Sequence, residues 1–252
     1  MVTSTAELVS IAAPIIGETG MAYYFTPETL AVGAGHGMDG LVWYIVGRGG
    51  PLGDVEGEVV AAAFGYCNPQ TIAAAWTAGT AKLPAREAGR EYLRCAAEFG
   101  RAKLAGIANI DALAGALGKV QAAADPQGLS LYAAHAAEPM VDDAPGRTMQ
   151  LLSKLRELRG SAHLLSLRAL GIEPRTAHFA KRPEMYKMFG WDADNPPHVS
   201  DDTRASLAEA EALTSRIVTP AFAVLNDAER DTVASGLRAV RDTLQGPARS
   251  TR

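Results

Sequence analysis

This sequence predicts a mainly α-helical protein, and three observations carry that prediction. Apolar residues recur at steps of three and four, as in Leu151, Leu155, Leu158, Ala162, Leu165 and Ala169, the spacing of one buried helical face. Helix starts are written several times over: Thr26-Pro27-Glu28 puts proline at a first turn, and Asn226 to Glu229 has the spacing of a capping box. Segments of alternating apolar and polar residues are scarce, so at most a vestigial hairpin is expected, over residues 191–199.

At 252 residues, 48% hydrophobic and 21% charged, the chain can bury a substantial core as one large or two small domains. Cys67 and Cys95 match neither a disulfide framework nor a zinc spacing, which points to free structural thiols in a reducing cytoplasm. No signal-like start and no apolar run of about 18 residues is present, so no membrane partner is expected. Charge differs between the halves. Residues 1–125 carry 8 Lys/Arg and 12 Asp/Glu, whereas residues 126–252 carry 16 of each. An acidic N-terminal half is not the footprint of a DNA-binding surface.

In chain order, residues 5–16 form an apolar helix, followed by the Tyr23-Tyr24-Phe25 cluster and a helix opened by Pro27. Gly35, Gly37 and Gly40 match the dinucleotide-binding expression, but a helix rather than a strand precedes them, which removes a nucleotide site. Residues 39–46 are apolar and aromatic and lead to Arg48. That lone cation behind Trp43 and Tyr44 must be paired. Either Arg48 and Tyr44 face a cavity and hold a ligand, or Arg48 caps its helix and pairs with Asp54, Glu56 or Glu58. Helices follow over residues 56–66, 70–77, 84–99 and 107–124, and Asp125-Pro126 makes a joint between a helical domain of residues 1–125 and the remainder.

The stretch from Leu129 to Phe189 concentrates the functional candidates. Between Arg147 and Lys187 it has nine Lys/Arg against three Asp/Glu, in a chain whose net charge is −4. On the long helix, Arg156, Arg159 and His163 fall within an arc of about 60° beside the apolar stripe. Two guanidiniums and an imidazole there can line a pocket, and arginine holds planar anions through paired hydrogen bonds. The same residues can equally be solvated arginines and a satisfied boundary histidine. Tyr132 and His135, three apart, share a helical face. After Gly171, short helices at 174–180 and 183–189 flank a tight turn at Lys181-Arg182, the outline of a helix-turn-helix with cations at Arg175, Lys181, Arg182 and Lys187. Beyond it come a helix from Ser200 to about Val218, stopped by Pro220, and a last helix to Leu244. Residues 192–231 are acidic, with nine Asp/Glu against three Lys/Arg.

LYAAHA, then a long Leu/Arg helix ending RGSAH, then LGIEP and a histidine four residues on, resembles a family of helix-turn-helix proteins common in actinomycete genomes. The YYFTPE, YIVGRGGPLG and AAAFGYCNP stretches also match that family's motifs, so the likeness covers most of the chain. The resemblance implies a helical N-terminal half and, over residues 126–246, a winged-helix-derived, MarR-like part, with residues 247–252 as a disordered tail. Two departures stand out. At the helix end Glu157-Leu158 stands for the usual acid–His and RGSAH for RGDGH, and the wing has shrunk to WDADNPPHVS, so the wing is degenerate and DNA reading is weakened or lost. The terminal helix pair implies a homodimer.

No hydrolase elbow, P-loop, zinc motif or metal-binding helix pair is present. His135, His163 and Tyr44 are the catalytic candidates, and Arg48, Tyr132, His135, Arg156, Arg159 and His163 the ligand-binding ones. The sequence predicts no cofactor and no metal site, although haem or a metal ion could use His135 and His163. The reading these observations favour is a small-molecule binding protein for an anionic or phenolic metabolite. The alternatives are an enzyme of specialised metabolism with a His/Arg/Tyr pocket, and a ligand-responsive transcriptional regulator.

Overall fold

The computed structural model describes residues 3–245; the expected tail at 247–252 lies outside them. Among the described residues every regular element is helical. The first half comprises α1 (Thr5–Thr19), α2 (Pro27–Gly35), α3 (Gly40–Gly49), α4 (Gly57–Phe64), α5 (Pro69–Thr80), α6 (Ala85–Leu104) and α7 (Ile110–Ala123). The second comprises α8 (Ser130–Ala137), α9 (Ala144–Ala169), α10 (Pro174–Lys181), α11 (Asp201–Phe222) and α12 (Asp227–Gln245). Local chemistry sets the ends. Ser4 and Glu7 form a capping box on α1, Asp39 caps α3 through Leu41 and Val42, and Asn68 caps α5. Asn226 and Glu229 bond each other's backbone N–H at 3.0 and 2.9 Å and open α12. Gly65 (φ 70°) ends α4, because its backbone turns into the left-handed region there.

α9 is the central helix, packed by α1, α6, α7, α8 and α11. The stripe Leu151, Leu155, Leu158 and Ala162 is buried as the periodicity predicts, but Leu165 is 47% exposed, and Thr148, Gln150, Ser153, Lys154 and Glu157 are buried too. Its first three turns are thus enclosed all round rather than on one face, and each polar side chain needs a partner inside the protein. Most have one. Gln150 bonds Val141 N–H and the Leu93 carbonyl, Ser153 meets Tyr23 Oη at 3.3 Å, and Lys154 Nζ donates to the Glu138 carbonyl. Burial pulls the Lys154 ammonium down to about 8. One hydrophobic cluster runs from Leu8 through Trp43, Tyr92 and Leu155 to Val240, and the apolar face of α12 (Val233, Leu237, Val240) is spent within it.

The segment after α10 departs from expectation. In place of a helix at 183–189 there is a single 3-10 turn, Pro183–Met185, followed by irregular chain and no strand through residue 199. Pro183 withholds an N–H, and Tyr186 is buried against Trp191 at a near-parallel 6.1 Å. Gly190 (φ 80°) packs against Thr71 of α5 so closely that a Cβ there would overlap it. Trp191 Nε1 donates to the Tyr66 carbonyl at 2.9 Å, so the segment after α10 lies back on the corner between α4 and α5.

Where α6 crosses α9, a Cβ on Gly100 would sit 2.4 Å from the Pro145 carbonyl oxygen, whereas one on Gly115 of α7 would meet nothing within 4 Å. Gly100→Ala is expected to destabilise the fold by about 1–3 kcal/mol through overpacking, and Gly115→Ala to stabilise it by up to about 1 kcal/mol through helix propensity. Urea denaturation of both variants reads the two signs; equal effects would mean that the crossing is not close.

Candidate functional site

A carboxylate in the middle of the central helix draws the site together. Glu157, on α9, is fully buried and accepts four hydrogen bonds: from Arg48 Nε (2.8 Å) and Nη2 (2.7 Å), Tyr24 Oη (3.1 Å) and Arg156 Nη1 (3.0 Å). Arg48 reaches it from the last turn of α3, donates its remaining Nη1 to Tyr44 Oη at 3.0 Å, and lies 4.2 Å over the Phe64 ring. Neither reading of Arg48 named this partner: the acid is Glu157, 109 residues away, and not Asp54, Glu56 or Glu58. A bidentate guanidinium–carboxylate pair, with further donors on the acid, is the geometry in which a buried charge can be held. Burial alone would raise the Glu157 carboxyl, but the charge and hydrogen bonds of Arg48, then Arg156, hold it well below the usual carboxylate range. Burial pushes the phenols of Tyr24 and Tyr44 above the ordinary tyrosine range, so both stay protonated, Tyr24 donating to Glu157 and Tyr44 accepting from Arg48.

His135, on α8, supports this core from behind. Its Nε2 lies 2.8 Å from the Arg48 carbonyl, which can only accept, so Nε2 carries the proton. Its Nδ1 is buried without a partner among the described residues, and burial keeps the ring neutral.

A second cluster forms within the next two turns of α9. Arg159 pairs with Glu211 of α11, which Lys181 of α10 also approaches at 3.4 Å. His163 Nδ1 lies 2.9 Å from Thr214 Oγ1; that hydroxyl donates to the Ala210 carbonyl at 2.7 Å, so His163 Nδ1 is the donor and Nε2 presents its lone pair towards Glu211. Tyr66 faces His163 nearly in parallel at 6.4 Å and His178 at 6.2 Å. Burial lowers His163 and brings His178 down to about 4, so both imidazoles are neutral.

The sequence candidates therefore divide. Arg48, Tyr44 and Arg156 meet at Glu157, Arg159 and His163 meet at Glu211, and His135 touches only the backbone of the first group. Tyr132 donates to the Gln121 carbonyl at 3.0 Å, on the α7 side. Arg175 is held by Tyr186 Oη and the Asn195 carbonyl, with the Trp191 ring 4.9 Å away. Lys181 engages Glu211, while Arg182 and Lys187 make no salt bridge among the described residues. Sequence reasoning missed Glu157, Glu211, Tyr24 and Tyr66 as members of the site. Glu157 lies off the leucine stripe, so no local spacing marks it as buried; only the enclosure of α9 does that. Two clefts adjoin α9. One, of about 10 Å³, has Arg159 on its wall between α1 and α11; the other, of about 150 Å³, is lined by Ala62, Ser130, Ser161, Leu164 and Arg168 among others. Among the described residues no group of three or more His, Cys, Asp or Glu is placed to hold a metal ion.

A family model described as the helix-turn-helix family matches residues 12–247, and the chain belongs to that family. No curated protein and no solved structure matches it. No described helix is long and apolar enough to cross a membrane.

Glu157→Ala leaves Arg48 and Arg156 without their acid in the core and is expected to destabilise the protein by about 3–5 kcal/mol. The acid response follows from the depressed carboxyl. Below about pH 4.3 the unfolded chain takes up a proton that native Glu157 refuses, so stability is full above that pH and falls as pH drops towards the native value. Glu157→Gln should flatten this part of the acid limb. Urea midpoints between pH 6 and the lowest pH at which the protein stays soluble decide it; parallel curves would refute the pairing.

Proposed function

For a member of the helix-turn-helix family with this arrangement, we propose binding of a small anionic or phenolic metabolite at the Arg156–Arg159 face of α9. One observation supports it above the others. The two clusters hold four cations, Arg48, Arg156, Arg159 and Lys181, against two carboxylates, Glu157 and Glu211, an excess of two positive charges. The inner pair is closed off, but the Arg156 and Arg159 side chains keep 23% and 22% of their surface, so an incoming anion can reach them. The Arg156 guanidinium lies 5.3 Å from the Tyr24 ring centre, an apolar flank that lowers the local dielectric and strengthens a charge-assisted bond.

The scaffold reads as MarR-related, with residues 126–246 winged-helix-derived, the wing degenerate and DNA reading weakened or lost; a homodimer fits that ancestry. Family membership favours a second reading, a ligand-responsive regulator. Against it stand the internal contacts of Arg175 and Lys181 and the missing second helix at 183–189. A site for catalysis would need a base near its working pH, and the neutral, hydrogen-bonded His135 and His163 act more simply as fixed donors and acceptors.

Calorimetric titration with 4-hydroxybenzoate, which carries both an anionic and a phenolic group, tests the site. Arg159→Ala should weaken binding roughly ten- to hundredfold, the loss of one charge-assisted contact, with little change in melting temperature. Unchanged affinity with a large fall in melting temperature would make Arg159 structural and place the site elsewhere. Fluorescence anisotropy with duplex DNA at physiological salt is expected to show weak, non-specific binding. Nanomolar binding to one sequence, lost in the double variant Lys181→Ala/Arg182→Ala, would instead establish the regulator.

A further inference from the structure

The larger of the two clefts beside α9 belongs to neither cluster. Ser161, Leu164, Leu165 and Arg168 share one face of the C-terminal half of α9 and form one wall of it. Ala62 and Ala63, at the end of α4, form a second wall, and Gly128 and Ser130, where α8 begins, form a third. Gly65 seats the second wall. It is left-handed (φ 70°) and packs under Leu164 so closely that a Cβ would overlap the leucine. Gly128 (φ 74°) keeps the third wall low, since a Cβ there would meet nothing within 4 Å. The space enclosed is about 150 Å³. A cavity of about that volume holds a benzene molecule, roughly six heavy atoms.

The lining is divided in character. Its middle is apolar, made by Leu164, Leu165, Ala62 and Ala63, and Leu165 is 47% exposed there although it lies on the central helix. Its ends are polar. Arg168 is the single charged residue of the lining, and no carboxylate accompanies it. Among the described residues its guanidinium makes no salt bridge or hydrogen bond, and the hydroxyls of Ser130 and Ser161 bond no other protein group. Arg48, Arg156, Arg159 and Lys181, by contrast, are each answered by an acid. A cation in the last turn of a helix suits the helix dipole, but that field leaves the N–H donors of Arg168 uncommitted.

We propose that this cleft is a further ligand site, and that it takes a short-chain aliphatic carboxylate. The carboxylate accepts paired N–H donors from Arg168, the hydrocarbon chain covers Leu164, Leu165 and the two alanines, and the serine hydroxyls border it. One lone cation matches a single negative charge, so a monoanion suits the site better than inorganic phosphate. The lining has no aromatic ring, and its volume suits an acid of about four or five carbon atoms. None of the lining residues belongs to the Glu157 or Glu211 clusters, so this site stands apart from the Arg156–Arg159 face.

Amide-shift titration of the ¹⁵N-labelled full chain with butyrate, acetate and butyramide tests this, on wild type, Arg168→Ala, Ala62→Leu and Arg159→Ala. Butyrate should shift the amides of Gly128, Ser130, Ser161 and Arg168 saturably in wild type. It should bind there at least fivefold more tightly than acetate, which lacks the chain, or butyramide, which lacks the charge. Arg168→Ala should weaken butyrate about tenfold, the loss of a charge-assisted contact, and Ala62→Leu should weaken it by filling the cleft. Both positions are exposed, so neither variant should lower the melting temperature. Arg159→Ala should leave these shifts unchanged. Saturable shifts at the cleft that persist equally in Arg168→Ala and Ala62→Leu would overturn the site, as would no shift there in wild type. Shifts lost in Arg159→Ala but kept in Arg168→Ala would assign the anion to the other face. Acetate or butyramide bound as tightly as butyrate would overturn the ligand class.

Discussion

A carboxylate at the centre of a helical bundle must be held by cations and donors brought from elsewhere in the chain, and that requirement organises this protein. Glu157 is enclosed because α9 is surrounded, not because an acid favours the core. Removing an ion from water costs several kcal/mol, so the pair persists only where geometry and extra hydrogen bonds offset that cost. Here the offset comes from three places: α3 supplies Arg48, the turn before α2 supplies Tyr24, and α9 itself supplies Arg156. A fork of two hydrogen bonds thereby ties the end of α3 to α9, while the packing of Trp43 on Tyr92 seats α3 against α6.

The same pairing separates structure from function among the arginines. Arg48 has the most buried and most fully bonded guanidinium of the group, and for that reason it has least to offer a ligand. Arg156 and Arg159 sit further out, with donors left over and surface open. Glu211 and Glu157 neutralise half of the four cations, which lets the cluster fold without a ligand yet leaves it short of negative charge. His135 fixes the backbone of Arg48 rather than facing a substrate.

The corner after α10 shows how a motif outline can close on itself. Arg175 and Lys181 are cations of the helix-turn-helix outline that the sequence suggests. Arg175, however, is enclosed by Tyr186, Trp191 and the Asn195 carbonyl, and Trp191 ties the following segment to Tyr66.

The sequence by itself determined the helices other than 183–189, the helix starts at Thr26, Ser200 and Asn226, and the shared flank of Arg156, Arg159 and His163 on α9. These follow from local rules: three-to-four periodicity, Asx and Ser caps, and side-chain directions on a single helix. Membership of the helix-turn-helix family was legible too, and the family match over residues 12–247 bears it out. Which acid answers Arg48 was not legible, because a salt bridge spanning 109 residues leaves no trace in local spacing. Nor was it legible that α9 is enclosed all round, since a stripe of leucines looks alike on a surface helix and on a central one whose other faces carry partnered polar groups. The failure of the 183–189 helix has the same origin. Its proline start and helical composition are local facts, but the burial of Tyr186 against Trp191 and the docking of Gly190 on Thr71 are contacts that only the folded chain makes. Tertiary structure decided where charge is buried and therefore which arginines are spent and which are free, because pairing a buried charge depends on distance in space and not along the chain.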